Sequence, residues 1–369
     1  MRPNQDEPLP LTDLRFGISS PEGDDLGVLA SQSTRYILAE YQAFLAEQER
    51  RRTALTALRD EARKSIASFL GTRRAEALQQ FRAQHRHPAL HLPVTHPHDV
   101  LTAAQDERYR ESQQLLRELN ISVEDLRSLR RDWRMHQVKL AEPRVVNDAG
   151  VRIVAERDVP DDVVRRRTNP WTIKEPPFSV SYWYYDWKTW GSGTLKFGES
   201  IHKSTGGIGH WSNYTNYDSG NWDLLYLHIT TSLAFWHKPK SGGNTDIWVK
   251  LKADVSGYFV NLWNESGWSD SDTHMWSLVA MEVLGVPGTK SQTQLWEYHI
   301  YGSDSKYYAD AVAKAPDVVW LHFVKPLPPG AWSLLRISTV DERHTGTDDV
   351  STNQDMLNRW FIEEVHVSD

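Results

Sequence analysis

Five histidines, His85, His87, His91, His96 and His98, fall within the fifteen residues HRHPALHLPVTHPHD (85–99). Neutral imidazoles at that density can ligate zinc, nickel or copper. The chain has no cysteine to complete such a site, and no HExxH pair. Three prolines keep the stretch from forming one helix. It reads as a connector between helices, and no metal or cofactor is expected.

Carboxylates are the next candidates. Cleavage of a glycosidic bond uses two acids about 5–10 Å apart, beside aromatic platforms for the sugar. The turn signal Pro287-Gly288 would fold its flanks into a hairpin, with Glu282, Trp276, Glu297 and His299 on one face. No wider acidic signature accompanies them, so a buried acid and an ordinary cross-strand pair explain them better. FGESIHKSTGG (197–207) approaches a phosphate loop, but the second glycine is missing and Gly206, Gly207 and Gly209 oppose the helix that must follow. Asp270, Asp272, Asp348 and Asp349 offer oxygen ligands for calcium without the EF-hand spacing. No residue is assigned a catalytic role.

Aromatic side chains carry the stronger signal. SVSYWYYDWKTWGSG (179–193) puts six rings between Tyr182 and Trp190. On a strand, Trp183, Tyr185 and Trp187 share one face, and Tyr182, Tyr184 and Trp190 the other. The first row is expected to fill a core and the second to lie outside or against a neighbour. STGGIGHWSNYTNYDSGNW (204–222) reads as a long loop mixing rigid rings with adaptable polar groups, as binding loops do. The candidate binding residues are Tyr182, Tyr184, Trp190, His210, Trp211, Tyr214, Tyr217 and Trp222.

The elements that must hold these residues fall into two blocks. Residues 1–27 form an arm interrupted by prolines and glycines. Over 28–141 a helical period dominates. Ile37, Tyr41, Phe44, Leu55, Leu58, Ala62 and Phe69 share a coiled-coil register, interrupted by Gln48, Arg51 and Ser65. Gly71 is a natural stop, and Ser122 with Asp125 resembles a helix-capping box. Residues 142–178 read as a linker with one short strand at 151–156. From 179 to 369 the period is two, with about ten strands separated by turn signals. The expected fold is α+β in two segregated modules: an elongated, coiled-coil-like helical hairpin, then an antiparallel, jelly-roll-like β-sandwich.

Composition separates the same blocks. Residues 1–170 contain 25 Arg and two Lys, whereas 171–369 contain three Arg and 12 Lys. Fifteen of the 16 Trp follow position 170. A net charge of −7 argues against nucleic acid as a main ligand. The polar, proline-rich start lacks the apolar run of a signal peptide, and no stretch reaches the roughly 18 apolar residues of a membrane span. A soluble chain outside the general secretory route is expected, cytoplasmic or released with a phage-like particle or complex.

Narrow helical stripes and an exposed aromatic row both ask for partners. The reading is a non-enzymatic structural or attachment protein that self-assembles through its helices and binds a partner protein or surface glycan through the sandwich. A pore-forming or insecticidal-type toxin is the first alternative, although no helix shows a broad apolar face. A jelly-roll carbohydrate-active enzyme is the second.

Overall fold

The computed structural model describes residues 26–84, 103–141, 151–166, 171–216, 223–264, 270–286, 288–301, 307–313, 317–348 and 350–368. The histidine-rich connector, Tyr217 and Trp222 lie outside them.

Three helices come first: α1 (Leu26–Gln84), α2 (Ala103–Glu118) and α3 (Val123–Ala141). Gly71 breaks the helical path as expected: its φ 70° and ψ 165° are non-helical values that glycine adopts without a Cβ clash, and two helical stretches of α1 meet there at a kink. Asn120 turns α2 into α3 at φ 51°, and Ser122 Oγ caps α3 by accepting the Asp125 amide at 3.2 Å. Then follow β1 (Val151–Val154), a 3-10 turn (Glu156–Asp158), α4 (Asp161–Val164) and β2 (Trp171–Lys174). The remaining strands are β3 (Val180–Trp190), β4 (Thr194–Glu199), β5 (Gly207–Asn216), β6 (Asp223–His237), β7 (Gly243–Asn264), β8 (Asp270–Val283), β9 (Ser291–Tyr301), β10 (Tyr307–Ala313), β11 (Val318–Leu327), β12 (Ser333–Asp348) and β13 (Val350–Ser368).

The strands form two antiparallel sheets. One has five strands in the order β3-β6-β12-β8-β9. The other has eight, with the path β1-β11-β7-β13-β5-β4, β10 on β7 and β2 on β13. Their inner faces enclose an apolar core that includes Leu233, Val249, Met281, Leu321, Ile337, Trp360 and Val365. This is a helical N-terminal segment joined to a large β-sandwich.

Several local expectations change. The segment read as a linker supplies β1 and β2 to the larger sheet. The strand β7 is one continuous stretch, paired with β11 along its first half and β10 along its second. Most of the expected loop 204–222 is strand β5. Its alternation was hard to read because the inward positions are polar: His210, Ser212, Tyr214 and Asn216 are all buried.

The helices lie on the outer face of the five-stranded sheet. Ile37 and Tyr41 of α1 share a buried cluster with Val180, Tyr182, Tyr184 and Trp236. Leu55, Ala62 and Ile66 share another with Leu116, Leu126, Trp190, Leu224 and Tyr226. The apolar stripe that reads as a coiled-coil seam thus finds its partner inside the chain. Two of its polar interruptions meet polar groups on the sheet. Gln48 accepts from the Tyr226 hydroxyl, and Arg51 Nη1 lies 3.0 Å from Glu342 Oε1.

Candidate functional site

The row Tyr182, Tyr184 and Trp190 is closed off by α1, leaving the three side chains 1%, 6% and 7% exposed. Tyr184 donates to Glu40 at 3.0 Å and Trp190 Nε1 to Thr56 at 3.0 Å. Tyr182 accepts from Arg336 Nη1 at 2.6 Å, and Arg336 also pairs with Glu40 and with Glu282 at 2.8 Å. Burial pushes both tyrosine hydroxyls up, so they remain neutral hydrogen-bonding groups. These three residues contact the chain's own helix rather than solvent. The opposite row, Trp183, Tyr185 and Trp187, faces the second sheet but is only half-buried, because β3 is an edge strand. Tyr185 and Trp187 meet Phe197 of β4 edge-on.

His210 and Tyr214 point between the sheets. His210 Nδ1 lies 3.0 Å from Asp341 Oδ2, and Asp341 Oδ1 accepts from Asn358 at 2.6 Å. Burial pushes the Tyr214 phenol up to about 12, and its hydroxyl accepts from Asn216 at 3.2 Å. Beside them Arg343, wholly buried, donates to Gln354 Oε1 at 2.7 Å and to Ser212 Oγ at 3.2 Å. Burial lowers its guanidinium to about 10. Both residues belong to a polar part of the sandwich interior.

Trp211 alone among the described candidates is open to solvent, at 42% exposure. Strand register builds a small lattice around it on the outer face of the eight-stranded sheet. One row across β4, β5 and β13 is Gly198, Trp211, Leu357; the next is Lys196, Asn213, Asp355; the third is Thr194, Thr215, Asn353. Rows two residues apart along a strand are separated by about 7 Å. Asn213 Nδ2 donates to Asp355 Oδ1 at 2.6 Å and to Asn353 Oδ1 at 3.1 Å, which fixes the amide's orientation. A methyl group at Gly198 would come 2.7 Å from Trp211 Nε1, so the absent side chain there lets the indole lie against β4. Elsewhere on this sheet, Trp248 and Trp320 are covered by Val159 and Val163 of the α4 segment together with Trp171.

The paired carboxylates do not meet. Glu297 is the register partner of Trp276, and Glu282 lies six positions farther along β8. That is about 20 Å of extended strand, well outside the range for paired-acid glycoside hydrolysis. Glu282 is instead bound to Arg336. Glu297 is half-exposed and lies 2.5 Å from His274 Nε2, while Asp272 lies 2.6 Å from His299 Nε2. His274 also stacks on Trp276, with ring centroids 3.8 Å apart. Among the described residues no cluster of histidine and carboxylate side chains has the arrangement of a metal site, and no helix is long and apolar enough to cross a membrane.

Sequence reasoning reached Trp211 but missed Lys196, Gly198, Asn353 and Asp355. Asn213 lay inside the flagged segment. Its partner Asp355 is 142 positions away, and only strand pairing brings the two together.

No family model matches this chain, and no curated protein does. Among solved structures, the bacteriophage CBA120 tailspike protein 4 enzymatically active domain overlaps 47% of this chain and 19% of its own, at 9% identity and a TM-score of 0.16. The family 11 carbohydrate-binding module from Clostridium thermocellum, in complex with a β-1,3-1,4-mixed-linked tetrasaccharide, overlaps 53% and 96% at 10% identity and a TM-score of 0.13. TmCBM61, in complex with β-1,4-galactotriose, overlaps 45% and 86% at 7% identity and a TM-score of 0.12. Overlaps this weak carry no weight for function, which rests on the chain's own residues.

Proposed function

We propose that this chain is a non-enzymatic attachment protein that binds a surface glycan through the outer face of its eight-stranded sheet, with Trp211 as the stacking platform. The observation that carries this reading is the exposed indole beside the Lys196–Asn213–Asp355 row. An aromatic face accepts the C–H side of a sugar ring, and Tyr and Trp combine large contact area with a polar tip. An amide, a carboxylate and an ammonium about 7 Å from the ring suit the hydroxyls around a stacked hexose. Self-assembly through the helical layer is the second part of the proposal. Its support is the apolar surface that docking leaves in solvent: Tyr36, Phe69, Met135 and Leu140.

A glycan array with the full chain and Trp211→Ala tests the first part. Binding to at least one glycan class should fall about tenfold or more in the variant, the usual loss for an interface aromatic, with the melting curve unchanged. No binding by the wild type, or equal binding by the variant, would remove the proposal. Sedimentation of the full chain against Met135→Glu and Leu140→Glu tests the second part; a monomeric wild type at high micromolar concentration would overturn it.

A further inference from the structure

Cross-strand register places three histidines side by side on the helix-covered face of the five-stranded sheet: His344 on β12, His274 on β8 and His299 on β9. Above them lies a band of charges already in balance. Arg51 of α1 meets Glu342 at 3.0 Å, and Arg52 meets Asp186 at 3.6 Å. His228 Nδ1 lies 2.7 Å from Glu342 Oε1, and its Nε2 lies 3.0 Å from Thr230 Oγ1.

His344 is the group that this arrangement leaves unsatisfied. It is 3% exposed, and neither ring nitrogen has a hydrogen-bond partner among the described residues. Tyr226 of β6 lies 5.0 Å from its ring and Trp276 of β8 stands edge-on at 5.2 Å. Glu342 Oε2, 3.7 Å from Nε2, has no hydrogen-bond partner among the described residues either, but the single charge of that carboxylate is already shared by Arg51 and His228 through Oε1. From α3, the Arg134 guanidinium lies against Gly346, the next position on the same face of β12. A proton on His344 would therefore add a second buried cation, beside Arg51 and His228, to the one Glu342 carboxylate.

We propose that the helical layer is an acid-released cover, in which protonation of His344 lifts α1 from the five-stranded sheet and opens the row Tyr182, Tyr184 and Trp190. The sign follows from burial, which lowers the His344 imidazole below its ordinary value. The released state, with an ordinary imidazole, takes up a proton below about pH 6.5 that the docked state refuses. Docking is thus unaffected above that pH and weakens as pH falls below it. Glu342, held far below the usual carboxylate range despite its burial, stays ionised throughout this window. One proton changes the docking equilibrium by up to about thirtyfold between pH 7.5 and 5.0.

Hydrogen exchange on the full chain at pH 7.5 and 5.0, corrected for intrinsic rates, tests this. Protection of α1 residues 37–62 should fall about tenfold or more at pH 5.0, while strands β7 and β11 of the eight-stranded sheet keep theirs. His344→Gln should hold α1 protection nearly constant between the two pH values. His344→Phe, which fills the slot between Tyr226 and Trp276 without a titratable nitrogen, serves if the glutamine variant is unfolded at pH 7.5. Unchanged α1 protection in the wild type, loss of protection in parallel with β7 and β11, or release of both variants at the wild-type pH would overturn the proposal.

Discussion

The Tyr184 hydroxyl donates to Glu40 Oε1 at 3.0 Å, joining the edge strand β3 to a helix 144 positions away in the chain. The contact places the boundary between helices and sandwich inside the molecule. Around it, Glu40 is held low because the Arg336 charge and hydrogen bond outweigh its burial. The helix–sheet contact is therefore part apolar stripe and part buried ion network.

The two rows of β3 should respond differently to truncation. Tyr182→Ala and Tyr184→Ala each empty a site sealed by α1 and should cost about 3–5 kcal/mol. Trp183→Ala, half-exposed at the sandwich edge, should cost clearly less. Chemical denaturation of the three variants decides it, and a larger loss at Trp183 would contradict the packing described here.

Arg336→Met should destabilise the chain by about 3–5 kcal/mol, because it removes the guanidinium that both the Glu40 and Glu282 carboxylates bind and leaves them only the charge of Lys290. Adding Glu40→Gln and Glu282→Gln to that variant should recover part of the loss. Denaturant midpoints of the single and triple variants measure this coupling; strict additivity would show that the network has no collective role.

Gly198→Ala should separate folding from the open face. The new methyl reaches the far end of the Trp211 side chain, which can swing away, so the melting temperature should change by only a few degrees. The displaced indole should weaken glycan binding by about tenfold. Titration calorimetry with a glycan identified on the array checks this, and undiminished affinity would mean that the ring's position against β4 does not matter.

His299 gives the opposite pH sign to His344. Its hydrogen bond to Asp272 raises the imidazole above its ordinary value. The contribution is fully present below about pH 6.5 and is lost as pH rises through the raised value. His299→Gln should therefore lower the melting temperature at pH 5.5 and leave it nearly unchanged at pH 9. Equal losses at both pH values would assign His299 a packing role only.

The sequence by itself determined the two blocks, the cap at Ser122, the helix break at Gly71 and the period-two strands. These are local consequences of backbone conformation and side-chain spacing, so a single segment carries the information. It also marked most of the α1 stripe that is buried, Phe69 being the exception. Tertiary structure alone decided what that stripe meets. A 4-3 apolar pattern asks for a complementary surface, and the same pattern serves a second helix or a sheet face. The polar breaks at Gln48 and Arg51 look like flaws until Tyr226 and Glu342 stand opposite them. The open face followed the same logic. Trp211 was recognisable by residue type, but Lys196, Asn213 and Asp355 become one row only when β4, β5 and β13 pair. Strand pairing across 142 positions is set by which register buries the most apolar surface, and that is a property of the whole sheet.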